Sequence, residues 1–152
     1  MAEVLLSVGT HVYVSASKPT LYAATGTGSF ASLSYTEIGE VTNLGEFGGS
    51  AQVTQHVPLQ TGIVAKRKGS IDYGTAALQI GRLAGDAGQA ILKAGFDGAT
   101  AYDVHSFKVV DASGEVSYFT GLIGSFTKVY NDANTVTGVN CNVELDNKVL
   151  VA

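Results

Sequence analysis

The segment "TVTGVNCNVELDNKVLV", residues 135–151, alternates with a period of two. Val139, Cys141, Val143 and Leu145 fall on one side of an extended chain, and Asn140, Asn142, Glu144 and Asp146 fall on the other. Successive side chains of a strand point to opposite faces, so the segment predicts a strand with one face in a core and one in water. The same period recurs upstream. The even positions from 4 to 16 read Val4, Leu6, Val8, Thr10, Val12, Val14 and Ala16, against Glu3, Ser7, His11 and Ser15. That predicts one long strand, or two broken at Gly9. "AYDVHSFKVVD" (101–111) and "EVSYFTGLIGSFTKVY" (115–130) read as two strands joined by the hairpin turn "ASG".

The middle of the chain is less regular. "SKPTLYAATGTGSFAS" (17–32) is rich in turn residues. In "SYTEIGEVTNLGEFGGS" (34–50) the apolar residues fall at 38, 41, 44 and 47, which fits bulged strand around Gly39 and Gly45. "AQVTQHV" (51–57) predicts a short strand ended by Pro58, followed by a loop over 59–68 that includes Lys66, Arg67 and Lys68. "GSIDYGTAALQIGRL" (69–83) predicts a strand whose buried side switches at Gly74, from Ile71 and Tyr73 to Ala76, Leu78 and Ile80. One helix is expected, at about residues 86–95. Asp86 is its N-cap, Gln89 completes a capping box, Gly95 stops it, and Ala87, Ala90, Ile91 and Ala94 form its apolar stripe. The sum is a mainly β fold, an antiparallel sheet or sandwich carrying one helix, in a single domain over 1–152.

Charge is scarce. Asp, Glu, Lys and Arg make up 14% of the residues, against about 25% in an average soluble domain. Mean hydropathy is +0.21, yet no run approaches the roughly 18 apolar residues of a membrane span. Such a surface implies that part of it is covered by a partner. "MAEVLLSVGTH" lacks the basic region of a signal peptide, and the lone Cys141 fits a reducing compartment. The net charge of -4 argues against a protein that grips nucleic acid over a wide face.

Motifs of catalysis are missing. His11, His56 and His105 lie in separate elements without Cys, His or carboxylate neighbours at ligand spacing, so each reads as an ordinary polar residue. Cys141, on the apolar side of its strand, reads as a small buried hydrophobe. "ATGTGSF" (24–30) lacks the G-K-[ST] ending of a phosphate loop and no helix follows, so it reads as a flexible loop tip. No enzyme, metal or cofactor is expected. The Lys66–Arg67–Lys68 triplet could be a nucleic-acid or targeting patch, a solvated loop, or a contact to the acidic excess of a neighbouring copy. Three cations could release only about three counterions, which makes a poor nucleic-acid site.

The order of elements resembles the tail tube (major tail) proteins of long-tailed bacteriophages. The likeness rests on "KGSIDYG" leading into a strand, "DAGQAILKAGFDG" as the lone helix and turn, "YDVHSFKVVDASGEVSYFTGLIGSF" as a strand, turn and strand, and the closing "NTVTGVNCNVELDNKV". "YTEIGEVTNLGEFGG" before the long loop fits less sharply. The resemblance implies an antiparallel β-sandwich or barrel-like fold with one flanking helix, in a structural virion protein whose six copies form a ring. Rings stack into a hollow tube through which DNA enters the host without specific binding. Tape measure, tail terminator and baseplate proteins would be further partners, and the phage tail its location after synthesis in the host cytoplasm. It maps a long loop that reaches an adjacent subunit or ring onto about 55–69, with His56, Pro58, Leu59, Lys66, Arg67 and Lys68 in it. A lumen that lets DNA slide should be polar and not basic. Asn140, Asn142, Glu144 and Asp146 are candidates to line it, with Glu37, Glu40 and Glu46 beside them; an ordinary outer surface is the plain alternative. A type VI secretion tube is the nearest related reading. A ligand-binding β-sandwich module is the reading from another class, and it calls for aromatics gathered on one face. Tyr13, Tyr73, Tyr102, Tyr118 and Tyr130 are instead spread over several segments.

Overall fold

The computed structural model describes residues 3–152. Its centre is the pair formed by β8 (Val116–Val129) and β9 (Gly138–Leu145), with β6 (Thr75–Gly81) on the far side of β9. On β9, Val139, Cys141, Val143 and Leu145 are buried while Asn140, Asn142 and Glu144 are exposed, as the alternation requires. β1 (His11–Ser15), β2 (Thr36–Glu37), β3 (Val41–Asn43) and β7 (His105–Val110) complete an antiparallel sheet in the order β2-β1-β7-β8-β9-β6-β3. The short β10 (Leu150–Val151) pairs with the start of β8.

β2 and β3 stand at opposite ends of this order, yet only Ile38, Gly39 and Glu40 separate them in the chain. The sheet must therefore curl until its two ends meet, a half-barrel that leaves little free edge at that seam. Inward residues of β1, β6, β7, β8 and β9 fill it, among them Val14, Leu78, Phe107, Phe119 and Val143, together with Ile38 from the β2–β3 link. The mainly β, barrel-like fold with one flanking helix is thus borne out. The apolar spacing of three in residues 38–47 follows from the chain turning through this seam, where Ile38 is buried and Val41, Leu44 and Phe47 pack against the core.

α1 (Ala87–Asp97) closes the core. Asp86 caps it by accepting from the Gln89 amide at 3.0 Å. The helix continues past Gly95 to Asp97, and its buried residues are Gly88, Gln89, Leu92 and Gly95 rather than the alanine stripe. Close approach decides this rotation. A Cβ on Gly88 would stand 2.4 Å from the Glu37 carbonyl oxygen, and one on Gly95 2.5 Å from Ile123 Cδ1. Gln89 does not complete the capping box either. Its Nε2 donates to the carbonyls of Gly39 and Gly81, and its Oε1 accepts from the Leu83 amide, so it clamps the seam from within.

Four other expectations are corrected. Among the described residues upstream of His11 there is no strand, and Val4, Leu6 and Val8 are exposed. The partner strand β7 ends at Val110, opposite His11, so residues 3–10 have no ladder to join. Residues 69–83 are two strands, divided where Gly74 adopts a φ of 85° and the chain leaves one sheet for another. Lys66, Arg67 and Lys68 lie not in a loop but on β5 (Ala65–Asp72), paired antiparallel with β4 (Ser50–His56); the turn is limited to residues 57–64. Finally, "ATGTGSF" is no loose tip, because it ends on Phe30, which is fully buried at the start of a short 3₁₀ turn, Phe30–Ser32.

Candidate assembly surfaces

The outer face of the sheet has two halves. Over β1, β7 and the start of β8 it is sealed by residues 16–35. Phe30 stacks on Tyr118 with ring centres 5.3 Å apart, and Tyr22 meets Phe30 edge-on at 5.0 Å. The Lys108 ammonium sits 4.5 Å from the Tyr13 ring centre and 5.1 Å from that of Tyr35. Burial raises the Tyr35 phenol well above its ordinary pKa, as it does that of Tyr22. Aromatics do gather here, then, but beneath the chain's own loop rather than in an open groove. Tyr102 and Tyr130 are exposed on separate segments.

The other half is bare. Residues directly opposite in an antiparallel ladder share a face. Rows Leu122–Glu144–Thr75, Ser125–Asn142–Ala77 and Thr127–Asn140–Gln79 therefore lie side by side across β8, β9 and β6. Thr75 Oγ1 donates to Glu144 at 2.6 Å and the Asn142 amide donates to Ser125 Oγ. These rows hold one carboxylate, several amides and hydroxyls, and no cation. Asn140, Asn142 and Glu144 are thus brought together. Asp146 lies just beyond β9, where the Thr120 hydroxyl donates to it, at the seam with the sealed half. Glu37, Glu40 and Glu46 do not join the rows. Glu37 pairs with His11 beside β1, Glu40 sits in the β2–β3 link with a φ of 58°, and Glu46 precedes the arm described next.

β4 and β5 form a separate two-stranded sheet, and nearly all of its residues are exposed. An isolated hairpin is marginal in water because it has one layer and no core. At its tip Val57, Leu59 and Ile63 are bare, with Gly62 turning back to the Pro58 carbonyl. His56 pairs with Ala65 at the end of the ladder. Lys66, Arg67, Lys68 and Asp72 give residues 50–72 a net charge of +2, which leaves -6 on the rest of a chain of net -4. Sequence reading missed the sealed aromatic half and the strand character of β5. Only the Tyr22, Phe30, Tyr35 and Tyr118 content hinted at the first.

Among the described residues, no three His, Cys, Asp or Glu side chains come together to hold a metal, and no helix is long and apolar enough to cross a membrane. Burial pushes the Cys141 thiol up to about 12. His105 is fully buried, with Nδ1 2.9 Å from the Asp103 carbonyl, so that nitrogen is the donor and the ring is used structurally.

No family model matches the chain, and no curated protein resembles it significantly in sequence. Solved structures do match it. A chain of the anti-feeding prophage baseplate superposes over 100% of this chain and 97% of its own, with a TM-score of 0.68 at 12% identity. The fold is one found in contractile injection systems. A chain of the PVC sheath/tube terminator matches over 100% and 99% at a TM-score of 0.63 and 13% identity. A chain of the anti-feeding prophage tube-terminating cap matches over 100% and 94% at 0.59 and 10%. The likeness covers the whole chain and is to a phage-tail-like fold of contractile injection systems, not specifically to the tail tube proteins of long-tailed phages.

Proposed function

We propose that this chain is a structural subunit of a phage-tail-type tube, acting through six-membered rings that stack around a bore. The observation that carries the reading is the β4–β5 arm, which buries almost nothing within its own chain yet stands on a fold matched end to end by chains of tail-like assemblies. The arm, from His56, Pro58 and Leu59 near its tip to the cations of its return strand, is the contact element between copies. The bare half of the sheet, with Asn140, Asn142 and Glu144, lines the bore. Its amides and single carboxylate offer DNA no cation, whereas each lysine there would engage a phosphate. The protein carries no catalytic role and resides in the tail particle, beside tape measure, terminator and baseplate proteins.

A second reading, a ring at the end of a tube rather than a repeating one, is favoured by the likeness to chains of a sheath/tube terminator and a tube-terminating cap. Electron microscopy of the purified protein tests both. Six-fold rings that stack into tubes support the first, and six-fold rings that never stack support the second. A protein that remains monomeric at high concentration overturns both.

A further inference from the structure

We infer that the β4–β5 arm docks on a second copy of this chain through one of its two faces, the one carrying Ala51, Val53, Gln55, Lys66, Lys68 and Ile71. The inference rests on the tube-subunit reading and makes it specific at the level of the face. The three cations look like one patch in sequence, but strand geometry divides them, because neighbours along a strand point to opposite faces. The register pairs Val53 with Lys68 and Gln55 with Lys66, while Thr54 pairs with Arg67 and His56 with Ala65. The ladder shifts between Ala51 and Val53, and the extra residue on β5 returns Ile71 to the Lys68 face opposite Ala51.

The faces differ in kind. The first has two cations, no carboxylate, and two bare apolar side chains, Val53 at 57% and Ile71 at 46% exposure. The second carries both signs, the cation Arg67 opposite Thr54 and the carboxylate Asp72 opposite Ser50, with His56 at its tip end. A hairpin meant only for water has no reason to place its apolar residues and its unbalanced charge on the same side. A face that is both apolar and cationic fits a surface that is partly apolar and acidic. The body of an identical chain offers that surface, with its net charge of -6 and its many bare apolar side chains. Nucleic acid is the poorer occupant. Two cations release only about two counterions, and Val53 and Ile71 add nothing to a phosphate contact.

The test compares charge reversals in the full-length chain by sedimentation velocity over a concentration series at about 0.1 M salt. K66E/K68E should weaken self-association at least about tenfold, by losing two interfacial ion pairs and replacing them with repulsion. R67E should change it less than about threefold. Raising the salt should weaken the wild type and leave K66E/K68E little changed, since the ion pairs are screened. Thermal unfolding of the dissociated chains should be the same for all three, which separates a docking defect from a folding one. Equal effects of K66E/K68E and R67E overturn the face assignment while leaving the tube reading intact. A wild-type chain that never self-associates overturns both.

Discussion

Gly88 and Gly95 set how near α1 comes to the sheet. Around Gly88 the obstructing atoms are backbone, the Glu37 carbonyl and Ile38 Cα, which cannot swing aside as a side chain can. Gly88→Ala should therefore lower unfolding stability by about 1–3 kcal/mol through overpacking, even though alanine is the better helix former. Urea unfolding followed by circular dichroism measures this. A stabilised variant would mean that the helix is free to move outward. Cys141 gives a second check at this scale. Its thiol has an ordinary value of 9.0 and is pushed up to about 12 by burial. The neutral thiol is the form the fold accepts, so its contribution is complete below about pH 9. It is lost as pH rises from 9 towards 12, where the unfolded chain ionises and the folded chain resists. A maleimide should thus label native protein slowly at pH 8 and denatured protein fast. Equal rates would contradict the buried setting. The exposed and buried positions of β9 and the N-cap at Asp86 could be read directly from residue order, because both depend on neighbours in the chain. Which face of α1 is buried could not, because it depends on steric clearance against Glu37 and Ile123, distant in sequence.

At the scale of elements, the arm and the body are held by different forces. The half-barrel has a core and a helix clamped by Gln89, whereas the arm is a ladder without a second layer. Ser50 and Asp72 are paired, so excising residues 51–71 and joining the ends with a short glycine turn should preserve the body. The midpoint of its thermal unfolding should move by only a few degrees, while ring and tube formation is lost. An unfolded product would show that the arm supports the body; normal tubes would show that it does not connect copies. Residues 65–68 were illegible as a strand because "AKRK" has neither apolar alternation nor β-branched residues, and the ladder of β4 supplies what its side chains do not. Residues 4–8 failed in the opposite way. They carry the period of a strand, but the sheet ends before reaching them.

At the scale of the whole molecule, few charges, a bare polar half-sheet and a cationic arm on an acidic body make sense together as parts of an assembly. Scarce charge by itself points to hidden surface, and the strand periods point to an antiparallel sheet or sandwich. The closure could not be foreseen, since it joins β2 and β3 across the full width of the sheet through three residues. Nor could the sealing of one outer half by Phe30 and its tyrosine neighbours, which is a contact between a loop and a strand far apart in the chain. The most direct measurement is a three-dimensional electron cryomicroscopy reconstruction of the particles formed by the purified chain. The expected map is a six-fold ring with Asn140, Asn142 and Glu144 facing the axis and each β4–β5 arm lying on another copy. A monomer at every concentration, or a ring whose arms touch nothing, would contradict it.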